Sequence, residues 1–210
     1  MEKLLIFPFN GNALEAIDCI DGQFELIGFV DDTLEKQGMT KWGIPVFNRA
    51  ALEKYKDVKI LAVPGSALSF KKRQEHIESL NIKNERFVSV IHPDTGIGRN
   101  VTIGTNCLIM AGVVLTSNAQ IGNHVCILPN TVIHHDVIIN DYTLIGSNVT
   151  IAGGTTIGAN CYIGSGTNIM NGITIGDFSL IGLGSNVLKS ISSQSIVAGN
   201  PAKKLNNFGL

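Results

Sequence analysis

Two architectures are expected in this 210-residue chain: a small Rossmann-like α/β domain over residues 1–92, then an all-β parallel solenoid over residues 93–210. Three observations predict them. Apolar strand-like runs alternate with helix-like segments as far as Ile91. From Ile97 to Val187 an aliphatic residue returns at every sixth position, sixteen times without an insertion. The charge is also unevenly spread. Twelve of the sixteen Lys and Arg residues precede Val88, and between Asn100 and Leu188 the only charged side chains are Asp136, Asp141 and Asp177.

The first unit reads as strand Lys3–Phe9, helix Ala13–Ile20, strand Phe24–Val30, helix Ala50–Tyr55, buried strand Val58–Val63, basic helix Leu68–Leu80 and a final strand Phe87–Ile91. Such doubly wound units bind ligands at the carboxyl ends of their strands. Here those ends are the loops Asn10-Gly11-Asn12, Asp31-Asp32 and Gly65-Ser66. A dinucleotide fingerprint needs three spaced glycines after the first strand, and only Gly11 is present, which excludes NAD. The loop amides suit phosphates at a helix N-terminus, and Asp31 or Asp32 suits a ribose or base. The same residue types also serve as ordinary turn and capping residues, so both readings stand at this point.

A period of six would scatter isoleucines around a helix, whereas it suits a solenoid whose repeats bury their apolar faces only by stacking. Each hexad makes one short strand and a corner, with the aliphatic residue inward. A small or β-branched residue four places on fits beside it, from Val101 and Cys107 to Ile191. Glycine follows the aliphatic residue at eight of the sixteen places and is expected to supply a positive φ for the turn. Three hexads make a coil of eighteen residues, and a little over five coils make a prism roughly 25 Å long at the usual strand spacing. So neutral a surface predicts burial against copies of the same chain, and a cyclic homotrimer closes three prisms side by side.

Composition removes several function classes. A net charge of −1 gives no basis for nucleic acid as a partner. Neither a long apolar run nor a signal-peptide pattern is present, which predicts a cytoplasmic protein without membrane insertion. Four cysteines without metal-type spacing predict buried, reduced thiols and no metal. Within the otherwise neutral solenoid, His134-His135-Asp136 is the one place where base and acid sit together. His135, at an outward hexad position, projects from the prism, with Gly153 one coil further on. A base beside a free amide is a minimal acyl-transfer site, although an isolated surface histidine is more often inert.

The order of the two domains, the segment Val132-Ile133-His134-His135-Asp136, the pair Ala152-Gly153 and the ending Ala198-Gly199-Asn200-Pro201-Ala202-Lys203 together resemble the bacterial nucleotide-sugar N-acetyltransferases. The resemblance covers essentially the whole chain. It implies a left-handed β-helix and acetyl transfer from acetyl-CoA, as cosubstrate, to the amine of a nucleotide-linked 4-amino-4,6-dideoxy sugar for surface glycan synthesis. By it, His135 is the general base supported by Asp136, and the Gly153 amide meets the thioester carbonyl. Gly199, Asn200, Pro201 and Lys203 lie at the adenine end of CoA. Asn10, Gly11, Asn12, Asp31, Asp32, Gly65 and Ser66 hold the nucleotide sugar. The chain departs from the family at Pro8 and Asn12, in a loop that usually carries more glycine and a histidine. It departs again at Leu144, where the family has a second histidine close to the cofactor.

Three other readings are weighed beside this one. An O-acetyltransferase of a sialic-acid-like sugar would share fold and base. A zinc hydratase on the same solenoid would need three convergent histidines, but His124, His134 and His135 occupy different hexad positions. A non-catalytic scaffold would not need the α/β domain.

Overall fold

The computed structural model describes residues 1–20 and 22–205; positions 206–210 of the expected second domain lie outside them. The α/β unit is a five-stranded sheet of order β3-β4-β2-β1-β5. Its strands are β1 (Glu2–Phe7), β2 (Phe24–Val30), β3 (Thr40–Lys41), β4 (Ile44–Phe47) and β5 (Lys59–Ala62). β1, β2, β4 and β5 run parallel, and β3 pairs antiparallel with β4. Helix α1 (Gly11–Ile20) buries Ala13, Ala16, Cys19 and Ile20 against the sheet and the solenoid, and α2 (Ala51–Lys54) buries Ala51 and Leu52 on the opposite side. The hairpin β3–β4, turned at Trp42-Gly43, was not foreseen, because its strands are too short to show an alternating pattern. The expected basic helix is also shorter. Ser66–Ser69 form turns, a single 3₁₀ turn covers Phe70–Lys72, and α3 spans Arg73–Glu78.

From Val90 onward the chain winds as a left-handed parallel β-helix. Strand partners are eighteen residues apart, as in Val114 with Val132 and Ile133 with Ile151. Val90–Ile91 already pairs with Leu108–Ile109, so these two residues form the first rung. The sixfold aliphatic residues and their small partners fill one continuous core from Cys107 to Val197.

The glycines act differently from expectation. None of the eight that follow the aliphatic residue has a positive φ. The left-handed residue lies two places later, as at Asn100, Asn118, Asn130 and Asn148, because asparagine tolerates that conformation. The glycines are needed for closeness to the next coil. A Cβ on Gly164 would stand 2.7 Å from Leu183 N and 2.8 Å from Ile181 O. At Gly104 it would stand 2.7 Å from Asn123 Oδ1, the atom that caps the Thr105 amide. Four corner amides, at Thr105, Asn123, Ser147 and Ala159, are capped by a side chain of the coil above in this way.

The three faces of the prism differ. The face carrying Leu108, Cys126, Leu144, Tyr162 and Leu180 is covered by the chain's own α/β unit, through Ala13, Ala16, Phe70 and their neighbours. Full burial of each leucine supplies about 1.5–3 kcal/mol. Part of the neutral surface expected to meet other copies is therefore occupied internally. Two faces stay bare, one with Val114, Val132 and Thr150, the other with Gln120, Ile138 and Thr156.

A polar cluster fixes the junction. Asn106, fully buried, accepts from Ala62 N and donates to Ala62 O, so its side chain completes the open edge of β5. It also donates to His124 Nδ1 at 2.9 Å. An amide NH2 can only donate, so His124 Nδ1 accepts and its proton sits on Nε2. His124 stacks on Tyr142 at 4.7 Å and meets Phe87 edge-on. Burial, then the nearby Arg73, pulls its pKa down to about 4. Arg73, wholly buried, donates to the carbonyls of His124 and Pro64, and burial lowers its pKa to about 10.

Two outcomes follow from this packing. Gly164→Ala should cost about 1–3 kcal/mol by overpacking against backbone, read from urea unfolding, whereas Asn148→Gly, at φ +54°, should be nearly neutral. His124 binds its proton more weakly folded than unfolded. Stability is then full above pH ~6.5 and falls as the pH drops towards about 4, by up to ~3 kcal/mol. Urea unfolding across that window should show the slope, and His124→Asn should flatten it.

Candidate active site

The loops at the carboxyl ends of β1 and β5 meet beside the covered face. Asn10 caps α1 by accepting from Ala13 N at 2.9 Å, and its Nδ2 donates to Val63 O at 3.1 Å. Asn12 Nδ2 reaches the same carbonyl at 3.4 Å. The capping reading thus holds for Asn10. The Gly11 and Asn12 amides donate to no other group among the described residues, and a helix N-terminus of this kind favours an anion. Gly65, at φ +120°, presses against Leu144, and Ser66 Oγ shares a hydrogen bond with Ser69. Asn12, Gly65, Ser66 and Ala67 line one wall of a cavity of ≈ 220 Å³, opposite Cys126, Leu128, Leu144 and Tyr162. Leu144 is therefore part of an apolar floor beneath the loops of the α/β unit.

The acidic pair does not face this cavity as free ligands. Asp31 is 2% exposed. Its Oδ2 accepts from Phe9 N at 2.9 Å and from Lys36 Nζ at 3.1 Å, and its Oδ1 from Thr33 N at 2.8 Å. Lys36 Nζ also donates to Phe9 O at 2.8 Å. Burial raises the Asp31 pKa, but the hydrogen bonds from Thr33 and Lys36 outweigh it and hold the carboxyl below 3.8. Asp32 is held in a fork by Arg49, with Nε at 2.8 Å and Nη2 at 2.7 Å. Asp31 and Asp32, expected to touch the ligand, thus also hold partners of their own chain, and Asp32 keeps an exposed side chain. Asp31 anchors the Phe9–Asn12 loop by accepting from Phe9 N, and its partner Lys36 holds the Phe9 carbonyl.

The second constellation lies at the corner between the two bare faces. His135 projects into solvent with its side chain 65% exposed. Its Nδ1 stands 2.8 Å from Asp136 Oδ2. A carboxylate only accepts, so the proton lies on Nδ1 and Nε2 is left as the basic atom. The hydrogen bond to His135, then one from Asn118, lowers the Asp136 pKa. On the next coil Gly153 leaves room for the ring: a Cβ there would stand 2.5 Å from His135 Nε2. Its amide donates to no other group among the described residues, unlike the four capped corners. His134 is half-buried at the same corner, and His124 lies at a different one, so the three histidines do not converge.

Up the same corner stand Asn171 and Lys189, and above them the tail folds back. Lys203–Lys204 pairs antiparallel with Val197–Ala198, the Gly199 amide donates to Ser185 Oγ, and Asn200-Pro201 forms the turn. Pro201 and Lys203 line a cavity with Leu188 and Lys189. Lys189, three rungs or roughly 14 Å up the column from His135, thus meets Pro201 and Lys203 of the tail, whereas Gly199 lies over the Ser185 corner. The loop cavity lies on the far side of the prism. All four cysteines are buried and unpaired, and burial pushes Cys126 and Cys161 up to about 12, which leaves no thiolate nucleophile.

Residues 95–189 match models of the bacterial transferase hexapeptide (118–153) and the hexapeptide repeat of succinyl-transferase (95–129, 136–171 and 154–189). No curated protein matches the chain by sequence. Among solved structures, a histidine-to-alanine mutant of GDP-perosamine N-acetyltransferase from Caulobacter crescentus, in complex with CoA and GDP-perosamine, aligns with a TM-score of 0.85. The identity is 21% over 99% of this chain and 98% of that one. The acetyltransferase domain of PglB from Neisseria gonorrhoeae, in complex with acetyl coenzyme A, gives 0.84 and 25% over 97% and 99%. WeeI from Acinetobacter baumannii gives 0.84 and 24% over 98% and 100%.

The anchoring role of Asp31 has a direct check. Asp31→Ala should lower the stability of the ligand-free protein by about 2 kcal/mol, the worth of hydrogen bonds to a charged group. Urea unfolding at neutral pH reads this, whereas a free ligand carboxylate would leave it unchanged. The stabilisation exists above pH ~4 and is lost as the pH falls through the lowered pKa of Asp31. The chain thus carries hexapeptide repeats over residues 95–189 and shares its fold, over nearly its whole length, with solved acetyltransferase structures.

Proposed function

We propose that the protein transfers an acetyl group from acetyl-CoA to the amine of a nucleotide-linked 4-amino-4,6-dideoxy sugar. The observation that carries this reading is the His135–Asp136 pair set against a bare Gly153 with a free amide. The amine nitrogen attacks the thioester carbon and its proton passes to His135 Nε2. The Gly153 amide donates to the developing oxyanion, an arrangement of known catalytic worth. The C–S bond then breaks, and the proton is available to the departing thiolate. Asp136 keeps the Nδ1 proton in place and stabilises the imidazolium. CoA runs along the edge from Gly153 to Gly199, Asn200, Pro201 and Lys203. The nucleotide occupies the cavity at Asn10, Gly11, Asn12, Gly65 and Ser66. Its floor of Cys126, Leu128 and Leu144 offers carbon to a deoxygenated sugar carbon. Residues 1–92 are the nucleotide-sugar unit and residues 93–210 the acetyl-transferring unit; the neighbours' complexes with CoA and GDP-perosamine support this pair of ligands.

Within one chain the cavity and His135 lie on opposite sides of the prism, so the reaction needs a second copy to bring them together. A homotrimer packed through the two bare faces does this. Unpaired, buried thiols accord with a cytoplasmic location.

His135→Ala should lower kcat by ~10²–10⁴ in a 4-amino-sugar acetylation assay, the usual worth of a general base. Light scattering should show both native and variant protein as three-chain particles. His134→Ala should cost far less. Survival of kcat in His135→Ala removes the base, and a stable monomer with full activity removes the shared site.

A further inference from the structure

We propose that Asn118 is a positioning residue for the His135–Asp136 pair; this rests on His135 being the base. Asn118 lies one coil before Asp136 in the left-handed corner column, and its Nδ2 donates to Asp136 Oδ1 at 2.9 Å. Its own Oδ1 accepts from Asn100 Nδ2 at 3.3 Å, one coil earlier still. The corner therefore carries a ladder, Asn100 to Asn118 to Asp136, that ends on His135 Nδ1.

Asn118 does more here than fill a left-handed position. Asn130 and Asn148 hold the same conformation at another corner, yet among the described residues neither forms a side-chain bond from coil to coil. Asn160 turns its side chain to the α/β unit, and Asn106 bonds both that unit and His124 on the next coil, a neutral partner away from the His135 corner. The Asp136 side chain is 56% exposed, so without a lateral donor its carboxylate would rotate freely in water. Asn118 fixes one oxygen and leaves the other for His135. Beyond Asp136 the column continues as Gly154 and Gly172, which carry no side chain to compete. The nearest groups to the ring above and below are neutral, Gly153 and Ser117. Other charges on its column are more distant, Arg99 two coils below and Lys189 three coils above. Among the described residues Asp136 is thus the charge in contact with the imidazole, beside His134, which is titratable but has no charged partner, and Asn118 sets Asp136.

The test uses two variants that keep the backbone conformation, since Asn118 has φ +63°. Asn118→Gly removes the donor, and Asn118→Asp places a second carboxylate against Asp136. Nitrogen NMR of the intact protein, with His135→Ala to assign the ring, reads the tautomer and titration of His135 without any substrate. In Asn118→Gly the fixed Nδ1–H form should give way to a tautomer mixture, with kcat falling ~10-fold or more from lost orientation while both KM values stay within about twofold. In Asn118→Asp the His135 midpoint should rise by about half a unit or more, because added negative charge favours the imidazolium. The acid limb of kcat/KM should move the same way. A native tautomer and midpoint in both variants overturns the proposal. Activity surviving in His135→Ala overturns the base instead, and the NMR result still decides what Asn118 does to the ring.

Discussion

Every functional feature of this molecule depends on the eighteen-residue coil repeating without insertion. Parallel strand bonding locks each coil to the next at one register, so residues eighteen apart stand in columns. Inward columns become the aliphatic core. Corner columns become lines of adjacent side chains, and a site can be assembled from two residues distant in sequence. His135 and Gly153 meet only because of this register, and the absent Cβ at Gly153 is what lets the imidazole lie over backbone. A single inserted residue between them would separate imidazole from amide and turn inward residues outward.

The second constraint is that the three faces are unequal. Leu108, Cys126, Leu144 and Leu180 make one face apolar, and the α/β unit covers it. The buried Arg73, Asn106 and His124 then fix the register of that contact. A desolvated guanidinium without a carboxylate partner is costly. Here it is satisfied by the carbonyls of Pro64 and His124, so it ties the loop that carries Gly65 to a corner of the solenoid. The cost of burial is offset by the rigidity it gives one wall of the cavity.

Much of the solenoid was legible in the sequence because its period is local and regular. The sixteen aliphatic positions, their small partners and the outward direction of His135 follow from spacing alone. What spacing hid was pairing across space. Glycine after isoleucine suggests a turn residue, yet its reason is the neighbouring coil, and the turn is made two places later by asparagine. Asp31 ends a strand in a ligand-facing manner, yet Lys36 and Phe9 take its oxygens. Asn106, Arg73 and Asn118 each occupy an ordinary position in the repeat or helix pattern. Only the meeting of two elements shows their roles. A polar residue in an otherwise apolar setting, such as Arg73 within α3 beside Ile77 and Phe70, was the one available signal.

The exposure of the His135–Asp136 pair decides how assembly and chemistry are linked. In a single chain both side chains stand in water, where a charge pair is weakly coupled and a hydrogen-bonded carboxylate competes with solvent. Packing of a second prism across the bare faces would exclude that water and strengthen every interaction at the corner at once. The ladder from Asn100 to Asp136 matters most before that happens, because it holds the carboxylate in place while the corner is still wet. The repeat thus supplies both the geometry of the pair and the two flat neutral faces that flank it. The α/β unit, by covering the third face, restricts the faces left for a second copy to the two that meet at His135.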